Sequence, residues 1–353
     1  MLAFRLLRIE KRRVSSTSRG FVTSSSRQLK RYYPMSAALH EEPFDALRTL
    51  LRSFGQIVLQ RNAATGACVL AAWLVSDARL ACAALTGAIA ANVGAVLRGY
   101  DPVDTRDGLH GFNGALAGLA ASTFIADDAT AMAVAILAAT AAAWLLGPWA
   151  RLLRSRGLGF YSSPCLLVTW AWLPLVYPAP THVAASDAVS WFDPMRGLLT
   201  GVAQTSFAGS ALAGVLILGG IALSSMRSAL FAVAGAALAT SAHWLMGADS
   251  ASLAAGLLGF NGTLTALALA DCGVLAALAG VGASVVLQQA AGQCGLPAMT
   301  APFVVATWTL RLLMRDTRRT STSNRSRAPD SAIERSADLG RREKTTRAVS
   351  PEG

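Results

Sequence analysis

The chain has 353 residues, 53% of them hydrophobic and only 14% charged, with a mean hydropathy of +0.45 and a formal charge of +11. Soluble domains carry about 25% charged residues, so a soluble enzyme is excluded. Of the 31 Lys and Arg, twelve lie at or before Arg61 and eleven at or after Arg311; only eight serve the 249 residues between, where Lys is absent. The basic balance therefore describes two tails, not the basic folded face with stacking aromatics that a nucleic-acid module needs, and no nucleic-acid partner is expected.

Residues 1–49 form a basic, polar N-terminal tail. Its first 34 residues are rich in Arg and Ser, with Glu10 the only acid, the composition of a mitochondrial transit peptide. The alternative, favoured because nothing downstream looks organellar, is that translation starts at Met35. Ten apolar segments follow, at approximately 54–76, 80–97, 111–125, 129–150, 162–178, 200–223, 228–246, 259–271, 273–291 and 300–314. About 20 apolar residues cross a bilayer as a helix. Several segments are shorter and interrupted by Gly or Pro, and many are rich in Ala and Gly, which suits close helix approach in lipid. The fold class expected is an all-α polytopic protein in a lipid bilayer. With the basic N-terminus inside, Arg98, Arg106, Arg151, Arg154, Arg156 and Arg227 all fall on the inner side, as the positive-inside rule asks. Arg79 and Arg196 alone fall outside, each at a segment end. Both termini then come out cytoplasmic. Residues 316–353 are disordered by composition, and their basic character suits anionic headgroups. Five Cys (Cys68, Cys82, Cys165, Cys272, Cys294) lack metal or disulfide spacing and read as small apolar packers.

The chain repeats itself. GLHGFNG at Gly108–Gly114 recurs as GLLGFNG at Gly256–Gly262, an offset of 148. The same offset pairs Gln56 with Gln204, Gly66 with Gly214, Arg79 with Arg227 and Gly87 with Gly235. Later the offset becomes 138, pairing Ser162, Pro164, Thr169 and Trp170 with Thr300, Pro302, Thr307 and Trp308. Two halves are expected, 50–185 and 186–315, each with five crossings. Five is odd, so the second must be inverted in the membrane. Inverted repeats with broken segments at matching positions point to a permeation site between them.

Irregular backbone at membrane depth persists only where protein buries it or it lines a polar cavity. Gly111, Gly114, Gly259 and Gly262 permit the tight turns and close contact of a break, and the amides of Asn113 and Asn261 can satisfy the backbone groups it frees. Phe112 and Phe260 are candidates for flat pore walls, against the plainer reading of core or lipid-facing aromatics. Gln56 and Gln204 are buried amides that need partners, at a pore mouth or between helices. Ser162 and Thr300, two residues before Pro164 and Pro302, can bond their own helix or offer oxygens to a pore. No charged residue is expected at the middle of a long span, Asp271 being ambiguous, and His110 becomes Leu258 in the second copy. Pumps and ion channels keep intramembrane ionisable groups or carbonyl rings, so this pore suits a small, neutral, polar solute. His40, His110, His182 and His243 stand apart from one another and from acids; neither enzyme nor metal nor cofactor is implied.

These residues resemble the urea transporters. The carrying motifs are SFGQIVLQRN with GVAQTSFAGS, the two G-L-x-G-F-N-G elements, and LPAMTAPFVVATW with its partner GFYSSPCLLVTW, covering roughly residues 50–314. The resemblance implies a passive, channel-like urea pore in each protomer of a homotrimer, in the bacterial inner membrane. It implies that Phe112, Leu116, Phe260 and Leu264 form two slots sandwiching the flat solute, and that Leu59 and Phe207 flank them. Gln56 and Gln204 then stand near the mouths, with Ser162 and Thr300 near the centre of a line of acceptor oxygens. Gln204 replaces an acid of some relatives, Leu59 makes one wall aliphatic, and Ser162 replaces the more usual Thr. A channel for ammonia or short amides is the alternative.

Overall fold

A computed structural model of the chain describes residues 43–176 and 194–315, and among these every regular element is helical. The expectations for the N-terminal tail up to residue 42 and for residues 316–353 lie outside the described residues. The helices in chain order are α1 (Pro43–Ile57), α2 (Ala63–Ser76), α3 (Ala78–Leu97), α4 (Pro102–Arg106), α5 (Gly111–Phe124), α6 (Asp128–Ser155), α7 (Ser163–Val176), α8 (Pro194–Ala203), α9 (Ala211–Ser224), α10 (Met226–Leu245), α11 (Ser250–Ala254), α12 (Phe260–Leu269), α13 (Val274–Gln293) and α14 (residues 301–315).

Ten apolar segments were expected to cross; among the described residues, four helices are long and apolar enough to do so, namely α3, α6, α10 and α13. The segment expected at 200–223 is instead a broken pair, α8 with the turn after it and α9, bent by 69°. Likewise 54–76 divides into α1 and α2. The physical cause is at Gly55 and Leu59. The chain folds back so tightly on Gly55 that a Cβ there would lie 2.6 Å from the carbonyl oxygens of Gln60 and Asn62. Leu59 takes a left-handed φ of 59°, and Asn62 caps the new helix through Ala64 N–H at 2.8 Å.

The backbone repeats more strictly than the side chains. The helix pairs α2 and α9, α3 and α10, and α4 and α11 each begin and end 148 residues apart. Left-handed residues recur at the same offset, Leu59 with Phe207, Gly99 with Gly247 and Gly108 with Gly256; Tyr161 with Met299 and Gly157 with Gly295 recur at 138.

Small residues let the helices touch. A Cβ on Gly87 of α3 would lie 2.1 Å from the carbonyl oxygen of Gly114 on α5, and one on Gly235 of α10 would lie 2.4 Å from that of Gly262 on α12. Only glycine permits such backbone contact, the small-residue packing that membrane helices use in place of a hydrophobic drive. Across the halves, α2 and α9 meet where Thr65 Oγ1 donates to the Gly220 carbonyl at 2.7 Å. Cys165 is buried, but Cys82 and Cys294 are exposed, so these two do not pack inside the protein as expected: Cys82 faces outward from α3, and Cys294 lies in the turn after α13. Large apolar side chains on the same outward faces, among them Leu97, Leu137, Leu230 and Leu275, are more than 60% exposed, a surface suited to lipid.

Candidate pore site

Three breaks in each half converge, and two amides tie them together. In the first half Gln56 ends α1, beside the break and not inside a span as the sequence suggested. Its Nε2 donates to the Asp107 carbonyl at 3.0 Å, joining the first break to the one before α5. Gln204 makes the matching bond to the Ala255 carbonyl at 3.1 Å. The second tie is Asn113, fully buried on the first turn of α5. Its Nδ2 donates to the Tyr161 carbonyl at 3.3 Å and its Oδ1 accepts from Cys165 N–H at 3.1 Å. Asn261 does the same at the start of α12, donating to the Met299 carbonyl at 3.0 Å and accepting from Phe303 N–H at 3.2 Å. A further bond from its Nδ2 reaches Gln288 Oε1 at 3.0 Å. Tyr161 and Met299 are themselves left-handed, φ 45° and 48°. The carbonyls at these kinks have left the helical ladder, and the Asn amides are the partners that buried polar groups require.

The two halves then meet break to break. Ser162 Oγ and Thr300 Oγ1, the equivalent atoms of the two copies, lie 2.8 Å apart. Trp170 Nε1 donates to the Pro297 carbonyl at 2.9 Å, and Trp308 Nε1 to the Gly159 carbonyl at 2.7 Å. Trp170 corresponds to Trp308 and Gly159 to Pro297, so each half gives the other the bond it receives. A twofold relation between the copies produces such reciprocal contacts.

Around this polar seam lie the apolar candidates. Phe112 and Leu116 are each 5% exposed and belong to one buried cluster, against which Leu59 and Phe207 pack. Leu264, 3% exposed, belongs to a second cluster with Leu166, Ala268 and Phe303, which also receives Leu59. Phe260 is half-buried and stands outside both. Pro164 and Pro302 lie in the first turns of α7 and α14, where a missing N–H costs nothing. Gly111 and Gly259 face Asn92 and Thr240, residues of matching position on α3 and α10. Phe160, which sequence reasoning passed over, stacks on Phe112 with centroids 6.0 Å apart and planes inclined by 23°. It has no aromatic counterpart, Ala298 standing at the matching position, so the repeat gave no signal for it. Trp170 and Trp308 were visible as a repeated pair, but their reciprocal bonds were not. Asp271 lies in the 3-10 turn Ala270–Cys272 that follows α12, 67% exposed and paired with Arg311 at 3.0 Å.

Taken chemically, the site offers flat apolar faces, backbone carbonyls bent out of helices, and two central hydroxyls. Residues 47–326 match the family model described as "UT: Urea transporter". The chain is also similar to Urea transporter 1 of Ovis aries, 26% identical over 308 residues and covering 75% of this chain and 76% of that one. Urea transporter 1 of Capra hircus is 26% identical over 296 residues with the same coverage.

Proposed function

This chain belongs to the urea transporter family, and we propose from that premise that it conducts urea passively through a pore between its two halves. It is a multi-pass membrane protein and a transporter, not an enzyme. The halves are residues 50–185 and 186–315, five crossings each, related by inversion. Support for the inversion comes from the recurring helix bounds and left-handed residues and from the reciprocal Trp bonds. The observation that carries the pore reading is the contact of the two central hydroxyls, Ser162 and Thr300, at 2.8 Å, which supports a single path shared by both copies of the broken segment.

The chemistry fits the solute. Urea is flat, with four N–H donors at its edges and one carbonyl acceptor. Phe112, Leu116, Phe260 and Leu264 supply apolar walls for its faces, where its N–H groups meet aromatic rings through weak contacts. Leu59 and Phe207 flank these slots, Gln56 and Gln204 stand at their two ends, and the carbonyls at the kinks with Ser162 and Thr300 replace water at the N–H edges. A bare ion cannot recover its hydration in so narrow and apolar a slot, whereas weak repeated sites let a neutral solute enter and leave. Flux runs down the gradient, because no group on the path couples it to an ion. The assembly is a homotrimer with one pore per protomer and both termini cytoplasmic. The membrane, by resemblance to bacterial urea channels, is the bacterial inner membrane.

The test is stopped-flow light scattering of liposomes under a urea gradient, comparing wild type with Phe112→Arg. Fast reswelling that the Arg abolishes is expected. Wild-type flux equal to that of empty liposomes refutes the urea assignment; flux equally fast in both refutes the slot.

A further inference from the structure

The backbone is nearly twofold, but the two mouths of the pore are not. In the second half the C-terminal end of α12 is held by two guanidinium groups. Arg311 Nη2 donates to the Ala268 carbonyl at 2.6 Å and to both oxygens of Asp271 at 3.0 and 3.2 Å. Arg227 Nη2 donates to the Ala270 carbonyl at 2.8 Å. At the matching end of α5, Ser122 and Thr123 instead turn their hydroxyls back on the Leu119 carbonyl. At the positions matching Arg311, Asp271, Tyr161 and Gln60 stand Leu173, Thr123, Met299 and Ala208. Arg79, which matches Arg227, pairs with Asp128.

Both guanidiniums line a cleft of about 430 Å³ that also takes in Tyr161 and Leu59. Leu59 packs against Leu264 and Ala268, so the cleft is the vestibule directly outside one proposed slot. Its charges do not cancel. Two Arg face one Asp, and the side chain of Arg311 is 27% exposed while that of Asp271 is 67% exposed. The carboxylate is thus the better screened of the pair, and a net positive field remains at the mouth.

We propose that Arg311 makes this vestibule a filter against guanidinium and its alkyl derivatives, the planar cations shaped like urea. The inference rests on the urea-pore reading. Shape cannot separate the two solutes: guanidinium is as flat as urea, and its N–H edges suit the same line of carbonyls. It is also more weakly hydrated than an ammonium ion and is attracted to aromatic faces, so slots walled by Phe reject it less than they reject ammonium or sodium. A fixed positive charge at the mouth supplies the missing discrimination, as arginines do in other pores. A unit charge roughly 10 Å away, at an effective dielectric near 20, accounts for about a tenfold exclusion.

The experiment reads the ratio of guanidinium to urea flux in liposomes, a ratio that a smaller folded fraction leaves unmoved. Uptake of radiolabelled guanidinium and of radiolabelled urea is followed in the same liposomes, for wild type, Arg311→Gln, Arg311→Lys and Ser225→Asp. The last variant leaves the bonds of Arg311 in place. Ser225 lines the cleft and caps α10 through Ser228 N–H, as its counterpart Asp77 caps α3, so an Asp there keeps the cap and adds a countercharge. Expected is a ratio about tenfold above wild type in Arg311→Gln and in Ser225→Asp, with Arg311→Lys near wild type. Urea flux with an unchanged ratio in Ser225→Asp overturns the proposal, as does a wild-type ratio equal to that of Arg311→Gln. Absence of urea flux in wild type refutes the urea pore itself, a separate failure.

Discussion

Replacing Asn261 with Leu isolates what holds a break together. Leu keeps the branching of Asn, though it is bulkier, and offers no hydrogen bond, so the change strands the Met299 carbonyl and the Phe303 N–H and removes the donor that Gln288 Oε1 receives. Asn261 is 1% exposed, so water cannot substitute. Each buried backbone group left without a partner costs about 1–3 kcal/mol, while side-chain hydrogen bonds between membrane helices average nearer 0.6 kcal/mol. The two stranded groups and the lost Gln288 bond together give about 3–7 kcal/mol. Asn113→Leu removes two bonds, not three, at 3.3 and 3.1 Å, and costs about 1 kcal/mol less. Thermal unfolding in detergent, followed by size-exclusion of the surviving trimer or monomer, ranks the variants. Urea flux in liposomes reports whether the kinked carbonyls keep their place, and a drop of more than about tenfold is expected for Asn261→Leu, given what a small misplacement does to a positioned site. Equal melting of Asn261→Leu and wild type with retained flux would refute the reasoning that these amides, not the surrounding packing, fix the break.

Gly87→Ala should fail to give a stable protein, because its Cβ would meet backbone on α5 at 2.1 Å. Gly282→Ala, with nothing within 4 Å of its Cβ, should raise stability by up to about 1 kcal/mol through helix propensity; detergent melting curves compare the two. A double-mutant cycle of Ser162→Ala and Thr300→Val should show a coupling of about 0.5–1.5 kcal/mol in the same melts, and zero coupling would mean the hydroxyls do not bond. The Asp249 carboxyl, outside the spans, is held below the ordinary carboxylate range by the Ser252 N–H that it caps. Its contribution is therefore complete above that ordinary range and fades as pH falls through the lowered value. Asp249→Asn should flatten this acid limb of the stability profile, while urea flux, carrying no proton, stays constant across neutral pH.

The repeat was legible because glycine, asparagine and proline mark breaks in any chain, and their recurrence in Gly108–Gly114 and Gly256–Gly262 could not be missed. The break after α1 was not legible in the same way. Its turn residue is Leu59, and its mate is Phe207; both are bulky residues in a left-handed conformation that sequence signals assign to glycine. Gln56 consequently read as a polar residue within a span, although it ends a helix. Composition also could not show that Arg311 bonds back to the end of α12, since charge near a tail reads as topology. Long-range bonds such as that of Trp308 depend on how two copies pack, a relation no local window contains.

The reciprocal indole bonds have a consequence for biosynthesis. Gly159 lies 149 residues ahead of Trp308, its donor. At a synthesis rate of about 5–20 residues per second, its carbonyl waits roughly 7–30 s for that indole to emerge from the ribosome. Trp170 waits likewise for Pro297. The first half therefore enters the bilayer incomplete and is finished only when α14 has been made. A message truncated before residue 297 yields a product with both bonds unmet, an inviting substrate for membrane proteases. Two separately encoded halves supplied together in one cell hold, between them, both partners of each indole bond.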